Sequence, residues 1–240
     1  MAKRTRPGGA HPTGGSADLS SLNSRVVRCR RCPRLVAWRE TVARTKVRRY
    51  ADQEYWGKPL AGFGDPQARV VLVGLAPAAN GGNRTGRMFT GDESGNWLFR
   101  ALYETGFANR PESVRPGDGL VLTDCYITAT VRCAPPQNKP TPEEFSHCRP
   151  FLLDEFRLLS QCQVVVGLGK IGFDAAASAL KELGRIGYSR RPTFGHGVRY
   201  TGGDVTLLGT YHPSQQNTFT GKLTRRMLRD VLRKAGDSRR

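Results

Sequence analysis

Four short apolar runs constrain this chain more than any other feature. They occupy residues 69–75 (RVVLVGL), 120–131, 163–168 (QVVVGL) and 205–210. None alternates regularly with polar residues, so each predicts a strand buried on both faces, the habit of a parallel sheet. Helical signals fill the intervals. A helix is expected over residues 18–49 and another over 94–106. Thr141, Pro142 and Glu144 announce a third with a capping box and a proline at its first position. Phe145, Cys148, Leu152, Phe156 and Leu159 then recur at helical spacing. A fourth helix should run to about residue 183, and a basic one over 223–234. Strands alternating with helices predict parallel βαβ units and an α/β fold, a three-layer α/β/α sandwich around a four-stranded parallel sheet. Ligands of such sheets bind beyond the carboxyl ends of the strands. The loops 76–92, 133–140 and 211–222 should therefore converge on one crevice.

The chain's 240 residues suit one such domain, expected over 21–240, after a flexible basic tail over 1–20. The 38 Lys and Arg outnumber the 20 Asp and Glu, giving +18 at pH 7. The excess runs through the whole chain rather than the tail alone, which points to a polyanionic partner, nucleic acid first. No apolar stretch reaches the roughly 18 residues of a membrane span, and the first residues lack the apolar core of a secretory signal. No membrane association is expected; a cytoplasmic, nucleoid-associated protein acting as a monomer is.

Structural disulfides are rare in that compartment, so the six cysteines need another explanation. Cys29 and Cys32 form a CxxC pair; Cys133 follows a strand and Cys148 lies on the capped helix. Four thiolates suit zinc or an iron–sulfur cluster. The second pair is not the tight knuckle of a zinc ribbon, which favours the cluster. Cys125 and Cys162, in or beside apolar strands, are expected to be core thiols.

Two loops carry side chains suited to chemistry. In residues 74–92, Arg84 and Arg87 are candidates to reach phosphates, and Phe89 suits stacking on a flat base. Asp92, ahead of a helix N-terminus, is expected to be held ionised there. In residues 211–222, His212 leaves a buried strand beside a Pro-Ser turn. Gly167, Gly169 and Gly172 match GxGxxG, but about twenty positions on stand Arg190 and Arg191, where a dinucleotide site would want an acid. The motif reads as a packing turn, and no nicotinamide cofactor is expected.

The stretches GLAPAANGGNRTGRMFTGD (74–92), VRCAPPQNKPTPEE (131–144) and YHPSQQNTFTGKLT (211–224) resemble those of the family-5, or type B, uracil-DNA glycosylases. The likeness covers roughly residues 20–235. The family-4 enzymes, which share the four-cysteine layout, are more distantly similar. The resemblance implies a [4Fe–4S] cluster on Cys29, Cys32, Cys133 and Cys148. It implies that His212 hydrogen-bonds the departing base and that Asp92 is the catalytic carboxylate. Phe89, Asn138 and Ala76 would surround the flipped base. Arg84, Arg87, Lys222, Arg225, Arg226 and Arg229 would hold phosphates of DNA containing uracil or other deaminated bases, while Gln215, Gln216 and Asn217 fill the gap in the duplex.

Two departures stand out. Ala78 and Ala79 lie where other families place a water-activating Asp, Asn or Glu. Ala129 replaces a family-4 Asn that reads the pyrimidine edge. Both imply a less discriminating pocket, open to hypoxanthine and modified pyrimidines as well as uracil. A non-enzymatic DNA-binding module built on a metal held by four cysteines would account for the charge and the thiols, but not for Asp92, the Gly-rich loop or the HPS turn.

Overall fold

The computed structural model describes residues 15–238. In chain order the helices are α1 (Gly15–Val27), α2 (Pro33–Thr45), α3 (Gly82–Thr85), α4 (Glu93–Glu104), α5 (Pro142–Leu158), α6 (Gly169–Glu182), α7 (Gln215–Phe219) and α8 (Arg225–Asp237). The strands are β1 (Phe63–Gly64), β2 (Val70–Gly74), β3 (Cys125–Ala129), β4 (Val164–Leu168), β5 (Arg199–Thr201) and β6 (Thr206–Thr210). They form one sheet in the order β1-β3-β2-β4-β6-β5.

The four central strands are the four apolar runs, and they are mutually parallel. Val70 aligns with Cys125 on one side and Val164 on the other, and Leu168 aligns with Thr210. Successive side chains of a strand point to opposite faces. Val70, Leu72, Ile127, Val166 and Leu208 accordingly pack with Leu98, Phe99, Leu228 and Leu232 of α4 and α8. Val71, Val73, Tyr126, Val165 and Leu207 pack with Leu22, Leu152, Phe156 and Ala176 of α1, α5 and α6. Burial on both faces is why these runs carry no polar alternation.

The sheet is mixed rather than purely parallel, because β1 and β5 pair antiparallel to β3 and β6 at its margins. The second apolar run yields a strand only from Cys125. At Asp124 the backbone turns left-handed (φ 58°), and its carboxylate accepts from the backbone N–H of Arg69 at 2.8 Å and from the Arg69 guanidinium. The helix expected over 18–49 is two helices. Pro33, which has no N–H to donate, opens α2, and the CxxC pair lies in the break. The expected tail boundary at residue 20 falls inside α1, where Leu19 and Leu22 are buried; residues 1–14 of that tail lie outside the described residues. The capping box of α5 forms between Thr141 and Glu144.

The three glycines of the GxGxxG match are packing contacts. A Cβ on Gly167 would stand 2.3 Å from the Phe173 Cα, one on Gly172 2.2 Å from the Val73 carbonyl oxygen, and one on Gly169 3.1 Å from the His212 Cβ. They seat α6 against the sheet and the loop after β6. Among the described residues no helix is long and apolar enough to cross a membrane.

Candidate active site

The loops after β2, β3 and β6 meet at the carboxyl ends of the parallel strands, around a cavity of about 230 Å³. Ala76, Phe89 and Asp92 line it from the first loop, Asn138 from the second, and His212 and Ser214 from the third. A wider groove of about 740 Å³ lies between α1 and the β1 edge, but no carboxylate or imidazole lines it. Chemistry therefore selects the smaller cavity.

Each side chain is fixed by its element. Asp92 is the N-cap of α4, and its Oδ1 accepts from the Gly95 N–H at 2.9 Å. Burial pushes its carboxyl above the ordinary value, and the amides of Gly95 and Ser94 only partly oppose this. The helix terminus favours the ionised form, as expected, but desolvation is the larger effect and leaves the carboxyl above its ordinary value. His212 is pushed down to about 4 by burial alone, so its imidazole is neutral at physiological pH. The Asn217 Nδ2 donates to the His212 carbonyl at 2.9 Å, and Ser214 caps α7 beneath it. Phe89 adopts a left-handed backbone (φ 52°), an uncommon and strained choice for an aromatic residue. Its ring centroid lies 5.8 Å from that of His212, at 33°. Asn138 is also left-handed (φ 57°). A carboxyl, an imidazole and an amide thus stand around a mostly apolar slot of side-chain-sized volume.

The model of the uracil DNA glycosylase superfamily matches residues 61–236. The type-5 uracil-DNA glycosylase of Mycobacterium tuberculosis is 51% identical over 224 residues, 92% of this chain and 82% of that protein. The chain belongs to the type-5 family of that superfamily. The Thermus thermophilus type-5 uracil-DNA glycosylase is 49% identical over 219 residues, 91% of this chain and 97% of that protein. The type-4 uracil-DNA glycosylase of Thermotoga maritima is 27% identical over 218 residues, 90% and 92% of the two chains.

The arginines of this type-5 chain are not all placed as its sequence suggested. Arg87 is buried, and its guanidinium pairs with Asp118 and donates to the Ser113 Oγ at 2.7 Å. Burial would raise the Asp118 carboxyl, but Arg87 and the Leu120, Val114 and Arg115 amides win and hold it well below the usual carboxylate range. Arg87 is therefore a core ion pair, out of reach of a phosphate. The Arg84 guanidinium is turned into its own loop. Arg229 faces Glu104 of α4 at 3.5 Å. Lys222 and Arg225 remain exposed, over the rings of Tyr211 (4.9 Å) and Trp97 (4.7 Å). Gln215 and Gln216 are exposed on α7, whereas Asn217 is turned back to the His212 carbonyl. Ala129, paired with Gly74, is buried at the end of β3.

Sequence reading missed Phe219. It stands 79% exposed at the end of α7, the most exposed large apolar side chain among the described residues. The signal was present, since it is an aromatic in a polar stretch, the feature that singled out Phe89.

Cys32, Cys133 and Cys148 share an apolar cluster with Leu35 and Val131, while Cys29 is half-buried against the α1–α5 side of the core, close enough for its charge to act on Cys32. Burial first, then the charges of Cys148, Glu144 and Cys29, pushes Cys32 up to about 11. Burial pushes Cys133 up to about 12 against the opposing charge of Arg39. The Arg39 Nη1 lies 3.4 Å from the Cys133 Sγ. The Nε atoms of Arg39 and of Arg132, next in sequence to Cys133, are buried without a partner. No group of three or more metal-binding side chains among the described residues is arranged to hold a single metal ion. Three thiols gathered in one cluster, with the Arg39 guanidinium at one of them, are chemistry that fits a thiolate-bound group of negative charge. Cys125 and Cys162 are buried apart from it, in the sheet clusters.

Proposed function

We propose that this chain excises uracil from DNA by hydrolysing the bond between base and deoxyribose, leaving an abasic site. One observation carries the reading: three loops, far apart in sequence, bring Asp92, Phe89, Asn138 and His212 to one cavity at the sheet's carboxyl edge. A stacked base is out of reach, so the nucleotide is flipped into that cavity. Phe89 stacks on the base and Asn138 and Ala76 close around it. As the glycosidic bond breaks, positive charge grows on the sugar and negative charge on the base. Asp92, ionised, stabilises the sugar cation or orients the water whose hydroxyl joins C1′, and the water's remaining proton ends on the departed base. Neutral His212 donates a hydrogen bond to the base anion, in a setting where low water content strengthens it. Lys222 and Arg225 hold phosphates, which supplies affinity without reading sequence. Phe219, with Gln215 and Gln216, fills the vacated stack as an apolar wedge.

The slot has no acid or amide at Ala78 or Ala79, and this supports a range extending to hypoxanthine and modified pyrimidines. Cys29, Cys32, Cys133 and Cys148 would hold a [4Fe–4S] cluster, which ties α2 to the β3–α5 connection and supplies no step of the excision. The protein would act as a monomer beside the nucleoid.

The test is incubation with oligonucleotides bearing uracil, hypoxanthine, xanthine or only normal bases, followed by alkaline cleavage at abasic sites. Cleavage of the uracil strand, and its loss in Asp92→Ala with DNA binding retained, is expected. Parent-rate cleavage by Asp92→Ala would end this assignment.

A further inference from the structure

Arg84 projects from α3 back into the loop that carries it. Its Nε donates to the Asn80 carbonyl at 2.8 Å and its Nη2 to the Gly91 carbonyl at 2.8 Å. Its Nη1 reaches the Gln53 Oε1 at 2.5 Å, and its guanidinium carbon lies 3.8 Å from the centre of the Tyr50 ring. Three of the five N–H groups and one face of the guanidinium are thus engaged by protein, so a phosphate would meet only the second N–H of Nη1 and of Nη2 unless it displaced partners already made. The loop leaves room for this. Gly91 has φ +88°, and a Cβ there would stand 2.5 Å from the Arg84 Nη2. The Gly91 carbonyl belongs to the peptide group that leads into Asp92. A second tie, from the Thr85 Oγ1 to the Thr90 carbonyl at 3.0 Å, runs alongside. The charge of Arg84 also acts on the Asp92 carboxyl, in the direction that favours ionisation.

We propose that Arg84 is a positioning residue for base excision: by tying Asn80 to Gly91 across the Gly-rich loop it fixes Asp92 at the pocket wall, and it is not a phosphate ligand. This rests on the reading of Asp92 as the carboxylate of the reaction. Arg84 does not touch the reacting atoms. It acts through the orientation of one peptide group and through its charge. Lysine could keep the charge but could not bridge two carbonyls and a side-chain amide at once.

The experiment compares Arg84→Lys, Arg84→Met, Gln53→Leu and Asp92→Ala with the parent protein. Single-turnover excision of uracil is followed across pH, and DNA affinity across salt concentration. Arg84→Lys should lower the excision rate about ten- to hundredfold, the scale of a small misplacement of a reacting group. Its affinity and its slope of log K against log salt should be unchanged. Arg84→Met should lose rate similarly and also move the acidic limb of the pH profile upward. Asp92 without its neighbouring cation takes up a proton at higher pH, and the rate is lost as pH falls through that value. Gln53→Leu, at an exposed residue, reads the same bracing should Arg84→Met not fold; a loss of excision rate without a change in salt slope supports the proposal.

A slope reduced by about 0.9, the contribution of one phosphate contact, with the rate retained, would make Arg84 a DNA contact and overturn it. So would an unmoved acidic limb in Arg84→Met with rate loss matched by loss of folded protein. Asp92→Ala cutting at the parent rate would instead remove the underlying assignment. An inactive Asp92→Ala beside a fully active Arg84→Lys would remove only the role of Arg84.

Discussion

Asp92 serves two purposes that pull in opposite directions. As the N-cap of α4 it stabilises a helix, but as a charged group in a desolvated pocket it costs stability. Asparagine caps equally well and carries no charge. Asp92→Asn should therefore abolish excision while raising the melting temperature. The pH dependence follows from linkage. The native carboxyl, raised by burial, keeps its proton at pH values where the unfolded chain has lost it. The parent's stability accordingly falls as pH rises from the ordinary value of 3.8 through the raised one, and asparagine does not titrate. The advantage of Asp92→Asn should be small at about pH 4 and grow toward pH 7, as thermal melts across that range would show. An advantage that shrinks with pH would contradict this account of burial. The residue scale is also where the sequence kept its partners hidden. Arg84 and Arg87 sit in a Gly-rich loop of a very basic chain, and both looked free to meet phosphate. Their partners, Gln53 and Asp118, lie 31 positions away on either side, beyond any local pattern.

At the scale of elements, one ion pair joins β3 to α5 beneath the thiol cluster. Arg132, just past β3, donates its Nη1 to the Glu155 Oε1 at 2.8 Å, and Thr128 donates to the same carboxylate at 2.6 Å. Both charged side chains are essentially without solvent, at 1% and 0% exposure. Removing one member leaves a buried charge unpaired. Arg132→Met or Glu155→Leu should each cost about 3–5 kcal/mol, and the double variant less than either. Urea titration of the three proteins measures this, and additive losses would show that the pair is not coupled. The element scale is where the sequence spoke most clearly. Burial on both faces wrote itself into β2 and β4 as unbroken apolar runs, and into β6 as an apolar centre between two buried threonines. The strands β1 and β5, of two and three residues, are too short and too exposed to leave such a mark. The helix break at Pro33 was legible in principle, because a proline just after a CxxC pair is a natural first helical residue.

For the whole molecule, topology alone foretold the meeting of the three loops, since parallel strands put their carboxyl ends on one side. It could not foretell what the four cysteines hold. With a [4Fe–4S] cluster, the purified protein should be brown and contain iron and acid-labile sulfide. Cys32→Ser should then lose colour, iron and thermal stability together, because a cluster on the four thiols would join α2 to the β3–α5 connection. Stoichiometric zinc in a colourless parent would replace the cluster with a different metal centre. The positive charge that gathers DNA is spread over the same body, so affinity should weaken steeply with salt.

The short antiparallel strands at either margin of the sheet have a consequence for life at high concentration. A long flat outer strand would offer unpaired amides to a neighbouring molecule and invite stacking into fibrils. Here the outermost segments are two and three residues long, and Gly62, Gly64, Gly202 and Gly203 interrupt the backbone around them. Two molecules meeting edge to edge find too little ladder to zip together, and a solution of this strongly cationic protein gains a safeguard against aggregation from the way its sheet ends.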